Sequence, residues 1–208
     1  MSAEFLEVHT QNPHLRQVRQ IVARLREGAI IAYPTDSCYA FGCHIGDKAA
    51  VDRIRAIRGF GRHHHFTLLC RDIAEVARYA RVDNWHFRML KQAAPGPYTF
   101  VLTANLLVPR RLHSGKRKTI GVRIPENAIA MALLEELGEP ILSCTAQLPD
   151  DAEPFNEAED IRDALDKQLD LIVDGGPCGF LPTTVVDLSG SSPQIIRQGK
   201  GPIEALGL

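Results

Sequence analysis

The spacing of apolar residues along the chain predicts helices and strands in alternation. Residues 15–25 place apolar side chains at helical spacing, and Gly28 follows them as a typical helix end. Residues 29–33 form a short apolar run that stops at Pro34, which is typical of a strand buried on both faces. The chain is therefore predicted to begin with a helix followed by a buried strand.

Similar signals recur along the rest of the chain. Asp47 and Asn127 are predicted to cap helices, and Asp72 with Glu75 forms a capping-box pattern ahead of another helix. Strands are predicted at residues 66–70, 98–104, 119–124, 140–145, 169–173, 183–188 and 194–197. Strands and helices interleaved in this way indicate an α/β domain with a twisted, largely buried sheet. The last two strands are too close together for a helical crossover, so the sheet should be mixed.

The composition is that of an ordinary globular chain. Its 208 residues are 45% hydrophobic and 24% charged, enough to bury about 70% of the surface that the unfolded chain exposes. We therefore exclude disorder and collagen-like repeats and predict one domain over residues 1–208. No run approaches the roughly eighteen apolar residues of a membrane span, and the first residues do not read as a signal peptide. We expect a cytoplasmic protein with no membrane partner.

The five cysteines are scattered and form no C-x-x-C pair. Neither a zinc knuckle nor a thioredoxin-like redox site is indicated. We predict that most of them are small, buried, apolar side chains.

Charge is segregated along the sequence, although the net charge is only -1. Residues 109–123 contain no acid and carry six cations: Arg110, Arg111, Lys116, Arg117, Lys118 and Arg123. Acidic residues collect in the segment 150–170. One surface could therefore attract a polyanion. The alternative is that both segments are simply solvated faces.

Generic nucleotide and hydrolase motifs are missing from the sequence. It contains no Walker loop, no G-x-G-x-x-G after a first strand and no G-x-S-x-G. The remaining candidate for a ligand-binding site is the segment at residues 33–43, where polar residues follow the end of a buried strand. Thr35 and Ser37 offer hydroxyls there, which suits a carboxylate or a phosphate. A plain capping turn would also explain this segment.

Residues 33–43, YPTDSCYAFGC, are similar to the YPTDTVYGLGC signature of the YrdC/YciO family. Further segments resemble family signatures in family order: PGPYT at 95–99, TIGVRIP at 119–125, DGGP at 174–177, PTTVVD at 182–187 and R-x-G at 197–199. The resemblance covers roughly residues 13–201. It implies a single twisted, mostly buried mixed sheet with helices on both sides and a concave, positively charged cleft.

The active members of this family are L-threonylcarbamoyl-AMP synthases. The resemblance implies that the cleft takes ATP, L-threonine and bicarbonate and releases threonylcarbamoyl-AMP and pyrophosphate. Mg²⁺ is expected with ATP. The product later modifies adenosine 37 of certain transfer RNAs, so tRNA-modification proteins are possible partners. Positioning and charge neutralisation would carry most of such chemistry.

Site residues follow from matched positions in the family motifs. The resemblance assigns Thr35, Arg123, Ser143 and Thr183 to threonine, and Arg58, Thr119, Thr145 and Arg197 to the nucleotide. Arg62 matches no family position and is added to the nucleotide group for its charge. Arginine suits the threonine carboxylate because its planar fork binds carboxylates bidentately. For Arg123 the alternative is a surface ion pair. For Thr145 and Thr183 it is a strand hydroxyl bonded to backbone.

Two phosphate-facing loops depart from the family pattern. Phe60 stands where the family has a second cation, and Gly61 replaces a proline. Arg62 could supply the missing charge from two positions away. Gln147 replaces the asparagine of the SANxSG signature. These departures resemble the YciO branch, whose role is less settled than that of the synthases.

A second hypothesis is therefore a module that binds duplex or transfer RNA, with weak or no synthase activity. Its binding residues would be Arg110, Arg111, Lys116, Arg117 and Lys118. Phosphate neutralisation by these cations would make binding steeply salt-dependent and largely independent of base sequence. A basic cleft suits both hypotheses, because ATP and RNA are both polyanions.

Overall fold

The computed structural model describes residues 2–61, 66–113 and 118–208, and the strands in these ranges form one sheet. They are β1 (Glu4–Glu7), β2 (Ile31–Tyr33), β3 (Ala40–His44), β4 (Thr67–Leu69), β5 (Tyr98–Thr103), β6 (Thr119–Arg123), β7 (Ile141–Thr145), β8 (Leu171–Asp174), β9 (Thr184–Asp187) and β10 (Gln194–Arg197). The helices there are α1 (Leu15–Arg26), α2 (Lys48–Ile57), α3 (Ile73–Tyr79), α4 (Asn84–Ala93), α5 (Ala128–Leu137) and α6 (Ala158–Leu165), with 3₁₀ turns at Arg110–Leu112 and Glu204–Leu206.

The sheet is mixed, as predicted. Its strand order is β1-β8-β2-β3-β7-β4-β6-β5-β9-β10. The pairs β1–β8, β2–β8, β4–β6 and β5–β9 are parallel. The other neighbouring pairs are antiparallel. The short β9–β10 connection makes an antiparallel pair, because a connection of this length cannot cross over to a parallel neighbour.

Helices cover both faces of the sheet. Alternate residues of β2 point to opposite sides: Ala32 packs in a core cluster with residues of α2, α3, α4 and α6, and Ile31 in a second cluster with α1 and α5. This period-two alternation explains why the 29–33 run is apolar throughout. The prediction of a mixed, mostly buried sheet with helices on both sides is confirmed, although β10 at its edge is exposed.

The three capping residues predicted from the sequence cap the starts of helices in the structure. Asp47 accepts a hydrogen bond from the Ala50 amide at 2.9 Å, and Asn127 accepts one from Ala130 at 2.9 Å. Asp72 caps α3 by accepting from the Glu75 amide at 2.7 Å. The capping box is only half formed, because the Glu75 carboxylate accepts from the Arg71 amide instead of turning back to Asp72.

The sequence reasoning missed three elements. β1 pairs in parallel with β8, more than 160 positions away in the chain, and no local pattern marks that partner. α4 starts with a full capping box, in which Asp83 and His86 bond each other's backbone. β3 begins inside the 33–43 segment, for which the local sequence pattern predicts no strand.

Burial keeps the thiols protonated. Cys38, Cys43, Cys70 and Cys144 are buried and Cys178 is half-buried, so the predicted apolar role is confirmed for most of them. Desolvation raises the pKa of Cys144 to about 12 and that of Cys178 to about 11, from a usual value of 9.0. Such thiols are poor nucleophiles near neutral pH.

We expect the free energy of unfolding to fall steadily as the pH rises from 9 towards 11. The thiols of the unfolded chain ionise near 9.0, whereas the native Cys178 thiol ionises only near 11. Raising the pH in this window therefore stabilises the unfolded state. Urea unfolding curves across the window measure the effect, and Cys178→Ala should make the slope shallower. Equal stability at pH 8 and pH 11 would contradict the expectation.

Candidate functional site

A cavity of about 340 Å³ lies against the sheet face that carries α1 and α5. Its floor is made by Thr67 of β4, Thr99 of β5, Gly121 of β6 and Ser143 of β7. Each alternates with a core residue that points to the opposite face. These strands thus pack against α2, α3, α4 and α6 with one face and present small, polar side chains to the cavity with the other.

The floor depends on close strand packing at Gly121. Thr67 pairs with both Gly121 and Ser143, and Val101 pairs with Gly121, so these residues form one row across four strands. A Cβ on Gly121 would lie 2.9 Å from the Thr67 Oγ1 and 3.3 Å from the Thr99 Cγ2. A larger side chain would therefore displace the hydroxyls of the floor.

Three chain segments form the walls. The loop after β2 contributes Thr35 and Ser37, the end of α2 contributes Arg58, and β10 contributes Arg197. Of the residues predicted from family motifs, those lining the cavity are Thr35, Arg58, Arg123, Ser143, Thr145, Thr183 and Arg197. Positions far apart in the sequence therefore meet at one site, because the sheet order places β7, β4, β6, β5 and β9 side by side.

Two predicted nucleotide-binding residues, Thr119 and Arg62, are not among the described residues that line the cavity. Thr119 is buried in β6, on the same side of the strand as Gly121, and pairs with Thr103. It does not belong to the described residues that line the cavity. Arg62 lies outside the described residues.

Arg123 and Asp36 form a buried ion pair at the wall. The Arg123 Nη2 is 2.5 Å from the Asp36 Oδ1, and the two side chains are 7% and 9% exposed. The same Nη2 donates a longer hydrogen bond to the Thr35 hydroxyl at 3.4 Å. The alternative of a surface ion pair for Arg123 is wrong, because both partners are buried beside the cavity.

The cavity hydroxyls are held in defined positions. The Thr35 hydroxyl donates to the Cys38 carbonyl at 2.7 Å. Ser143 shares a hydrogen bond with the buried Tyr33 hydroxyl at 2.8 Å, and Thr183 shares one with Thr99 at 2.8 Å. The Thr183 hydroxyl thus bonds a second side chain, and the alternative of a backbone partner does not describe it.

Three arginines give the cavity its charge. Arg58, Arg123 and Arg197 are the charged residues among the described lining. Burial lowers the pKa of Arg58 and of Arg197, yet an arginine remains a cation at neutral pH. Arg58 donates to the Gln147 carbonyl and stacks on Phe60, with its Cζ 4.5 Å from the ring centroid. Such a site favours an anionic ligand.

Glycines allow segments that resemble family motifs to pack closely around the cavity. Gly199 lies so close to the 182–183 segment that a Cβ would come within 2.6 Å of the Thr183 carbonyl. Arg197 donates to that same carbonyl at 2.9 Å. At the loop after β2, a Cβ on Gly175 would lie 2.7 Å from the Pro34 Cγ. The R-x-G and D-G-G segments are therefore packing partners of the cavity walls.

The predicted RNA-binding cations fall into three groups. Arg111 donates to the carbonyls of Ile45 at 3.3 Å and of Gly46 at 2.8 Å, so its guanidinium holds the local fold. Arg110 and Lys118 are exposed, as is Arg111. The other two, Lys116 and Arg117, lie outside the described residues.

The described residues do not build a metal centre. They contain no group of three or more metal-ligating side chains, and Asp36, the carboxylate at the cavity wall, is paired with Arg123. Mg²⁺ is usually held by substrate phosphates, waters and one or two carboxylates. None of the helices in the described ranges has the length and apolarity that a membrane span requires.

Sequence reasoning missed several residues of the site. Asp36 belongs to the quoted 33–43 motif but was given no role, and Thr67 and Thr99 were not singled out. Period-two alternation could have placed Thr99 opposite the core residues Tyr98 and Phe100. Recognising Thr67 needs the strand order, which the local pattern does not contain.

Comparisons with known proteins identify relatives along nearly the whole chain. A family profile for Sua5, yciO and yrdC proteins, described as telomere recombination, matches residues 23–199. An uncharacterised protein of Haemophilus influenzae is 52% identical over 200 residues, covering 96% of this chain and 97% of that protein. The uncharacterised protein YciO of Escherichia coli is 48% identical over 202 residues, covering 97% and 98%. A threonylcarbamoyl-AMP synthase of Halorhodospira halophila is 31% identical over 184 residues, covering 88% and 94%.

Two solved structures share the fold. The crystal structure of E. coli YciO superposes with a TM-score of 0.95 at 48% identity and covers 98% of this chain and 99% of its own. P. abyssi Sua5 complexed with L-threonine superposes with a TM-score of 0.88 at 27% identity. The match covers 96% of this chain and 58% of the Sua5 chain.

Proposed function

The chain belongs to the Sua5/YciO/YrdC family, and on this premise we propose that it joins ATP, L-threonine and bicarbonate into threonylcarbamoyl-AMP and releases pyrophosphate. Relatives named threonylcarbamoyl-AMP synthase and a Sua5 structure complexed with L-threonine support this kind of activity. The observation that carries the proposal is the convergence of Arg58, Arg123 and Arg197 on one cavity with a hydroxyl-bearing floor.

The proposed reaction has two bond-forming steps. The threonine ammonium first gives a proton to solvent. The free amine then attacks the bicarbonate carbon, and the bicarbonate hydroxyl leaves as water with a proton from the nitrogen, which gives a carbamate. A carbamate oxygen then attacks the α-phosphorus of ATP and pyrophosphate leaves. All reactants are anions or zwitterions at neutral pH. The protein would act mainly by bringing them together and by neutralising their charge.

Arg123 would bind the threonine carboxylate. Its Nη2 is already held by Asp36 and Thr35, and the residue lines the cavity, so the Nη1–Nη2 edge of the guanidinium would take the carboxylate. Arginine carries five N–H donors in a planar fork, so it can be held by the protein on one edge and bind a carboxylate on another. Ser143 and Thr183 would contact the amino acid from the floor.

Arg58 and Arg197 would contact the nucleotide phosphates, with Thr145 beside them. The volume of about 340 Å³ lies at the lower end of the range of about 300–1,000 Å³ typical of ligand pockets. Phe60 also lines this part of the cavity and stacks on Arg58. The part of the wall that would face the phosphates thus carries an aromatic ring where the family has its second cation.

Replacing Phe60 by arginine should lower the ATP concentration for half-maximal activity about tenfold. A second cation beside Arg58 would add a charge-assisted contact to the phosphates, and such a contact is worth about 1.5–3 kcal/mol. Phe60→Leu is the matched control, since it removes the ring without adding charge. Initial rates at varied ATP measure the effect. Equal behaviour of the arginine and leucine variants would show that this position does not face the phosphates.

A pyrophosphate-release assay tests the function. We expect release from ATP and bicarbonate that depends on added L-threonine, with no release when threonine is omitted. The product would serve tRNA modification in the cytoplasm, with tRNA-modification proteins as recipients. Binding of ATP or RNA without any threonine-dependent release would refute the synthase proposal and favour the RNA-binding hypothesis.

A further inference from the structure

We propose that Asp36 is a positioning residue, which sets the orientation of Arg123 for the carboxylate of the amino-acid substrate. The proposal rests on the function proposed above and adds a residue to which the resemblance gave no role. It depends on the geometry of the loop after β2, on the burial of the ion pair and on the two buried polar atoms of the pair that have no hydrogen-bond partner in the described residues.

The loop after β2 divides its side chains between the cavity and the wall behind it. Thr35 and Ser37 line the cavity, whereas Asp36 between them is not part of the described lining. Its carboxylate instead meets Arg123, with the Oδ1 2.5 Å from the Nη2. Asp36 therefore contacts the guanidinium from the side away from the ligand space.

The loop that carries Asp36 is itself fixed. The Thr35 hydroxyl accepts from the Ser37 amide at 3.1 Å and donates to the Cys38 carbonyl at 2.7 Å, which closes a tight turn around Asp36. Lys200 reaches across from the C-terminal segment and donates to the Asp36 carbonyl. A carboxylate held in this way can hold a guanidinium in turn.

The pair leaves one atom of each partner unused. The Asp36 Oδ2 and the Arg123 Nε are both buried, and neither has a hydrogen-bond partner in the described parts of the chain. Asp36 thus holds Arg123 through a single point, the Oδ1–Nη2 contact. A small rotation about this contact could pair the remaining atoms when a ligand carboxylate docks on the opposite edge of the fork.

Loss of the Asp36 charge should therefore affect threonine and leave ATP binding unchanged. Asp36→Asn keeps the shape of the side chain but replaces a charge-assisted hydrogen bond by a neutral one. We expect the threonine concentration for half-maximal rate to rise about 10- to 100-fold, as for the loss of one hydrogen bond to a charged group. The corresponding ATP concentration should stay within about twofold, because Arg58 and Arg197 do not contact Asp36 in the described structure.

The matched control is Asp47→Asn. Asp47 is a half-buried carboxylate that caps α2, and asparagine caps helices as well as aspartate does. This variant should keep the wild-type threonine response. A rise in the threonine requirement of equal size in both variants, or a change in the ATP requirement of Asp36→Asn, would overturn the positioning role.

A double-mutant cycle tests whether Asp36 acts through Arg123. In an Arg123→Lys background, which keeps the charge but lacks the fork, adding Asp36→Asn should change the threonine response by less than about threefold. Additive effects of the two substitutions would show that Asp36 acts by another route.

Nitrogen-15 NMR of the arginine side chains separates this proposal from the function on which it rests. The Arg123 Nη2–H signal, from the nitrogen that contacts Asp36, should exchange slowly in the wild type and in Asp47→Asn, and should broaden or exchange rapidly in Asp36→Asn. If Asp36→Asn loses that signal while the wild-type protein shows no threonine-dependent release, the synthase function is refuted. The role of Asp36 in holding Arg123 would still stand. An unchanged signal in Asp36→Asn would refute the hold itself, whatever the activity.

Discussion

Replacing Arg123 by alanine should abolish threonine-dependent pyrophosphate release and lower the free energy of unfolding by about 3–5 kcal/mol. The stability effect follows from the burial of both partners, at 7% and 9% exposure. Without the guanidinium, the Asp36 carboxylate remains in the wall without a counter-charge. Urea unfolding and the release assay together measure the two effects.

A double variant separates stability from function. Arg123→Met with Asp36→Leu replaces the ion pair by apolar side chains of similar size, and such replacements commonly restore or raise stability. We expect near-native unfolding free energy in this variant with no threonine-dependent release. Activity retained in the double variant would contradict the role of Arg123 as the carboxylate-binding residue.

Replacing Gly199 by alanine should destabilise the protein by about 3 kcal/mol and reduce activity at the same time. The added Cβ would lie 2.6 Å from the carbonyl carbon and oxygen of Thr183 and closer still to the Pro182 oxygen. These are backbone atoms, so the strain cannot be relieved by rotating a side chain. The segment must shift, and Arg197 would lose its hold on the Thr183 carbonyl.

Gly61→Ala is the matched control for the stability effect. A Cβ at Gly61 meets nothing within 4 Å among the described atoms, so the unfolding free energy should change by less than about 0.5 kcal/mol. Thermal or urea unfolding of the two variants side by side measures the difference. Equal stabilities would mean that the 182–183 segment and Gly199 are not packed as the structure shows.

Helix starts were predictable because their signals are local. Asp47 and Asn127 sit three residues before the amides they cap, so the sequence window contains both partners. β3 was missed because its pairing with β7 is not local and because Gly42 is uncommon inside a strand. The structure explains that glycine, since a Cβ there would lie 2.7 Å from the Tyr33 ring and 2.9 Å from the Ile141 side chain.

Only those site residues that lie in family motifs could be predicted from the sequence. The family motifs led to Arg123 and Thr35 without any knowledge of the sheet. The partner of Arg123 needed coordinates, because Asp36 is one step along an irregular loop where side-chain direction has no simple period. Thr67 reaches the floor because β4 lies between β6 and β7, and this order is set by long-range pairing.

The most direct test of the proposed activity is mass spectrometry of the product formed from ATP, L-threonine and carbon-13 bicarbonate. We predict threonylcarbamoyl-AMP that carries the heavy carbon, in amounts equal to the pyrophosphate released, and no such product from the Arg123→Met, Asp36→Leu variant. Absence of a labelled adenylate from the wild-type protein, with ATP and threonine both in excess, would contradict the proposed synthase activity.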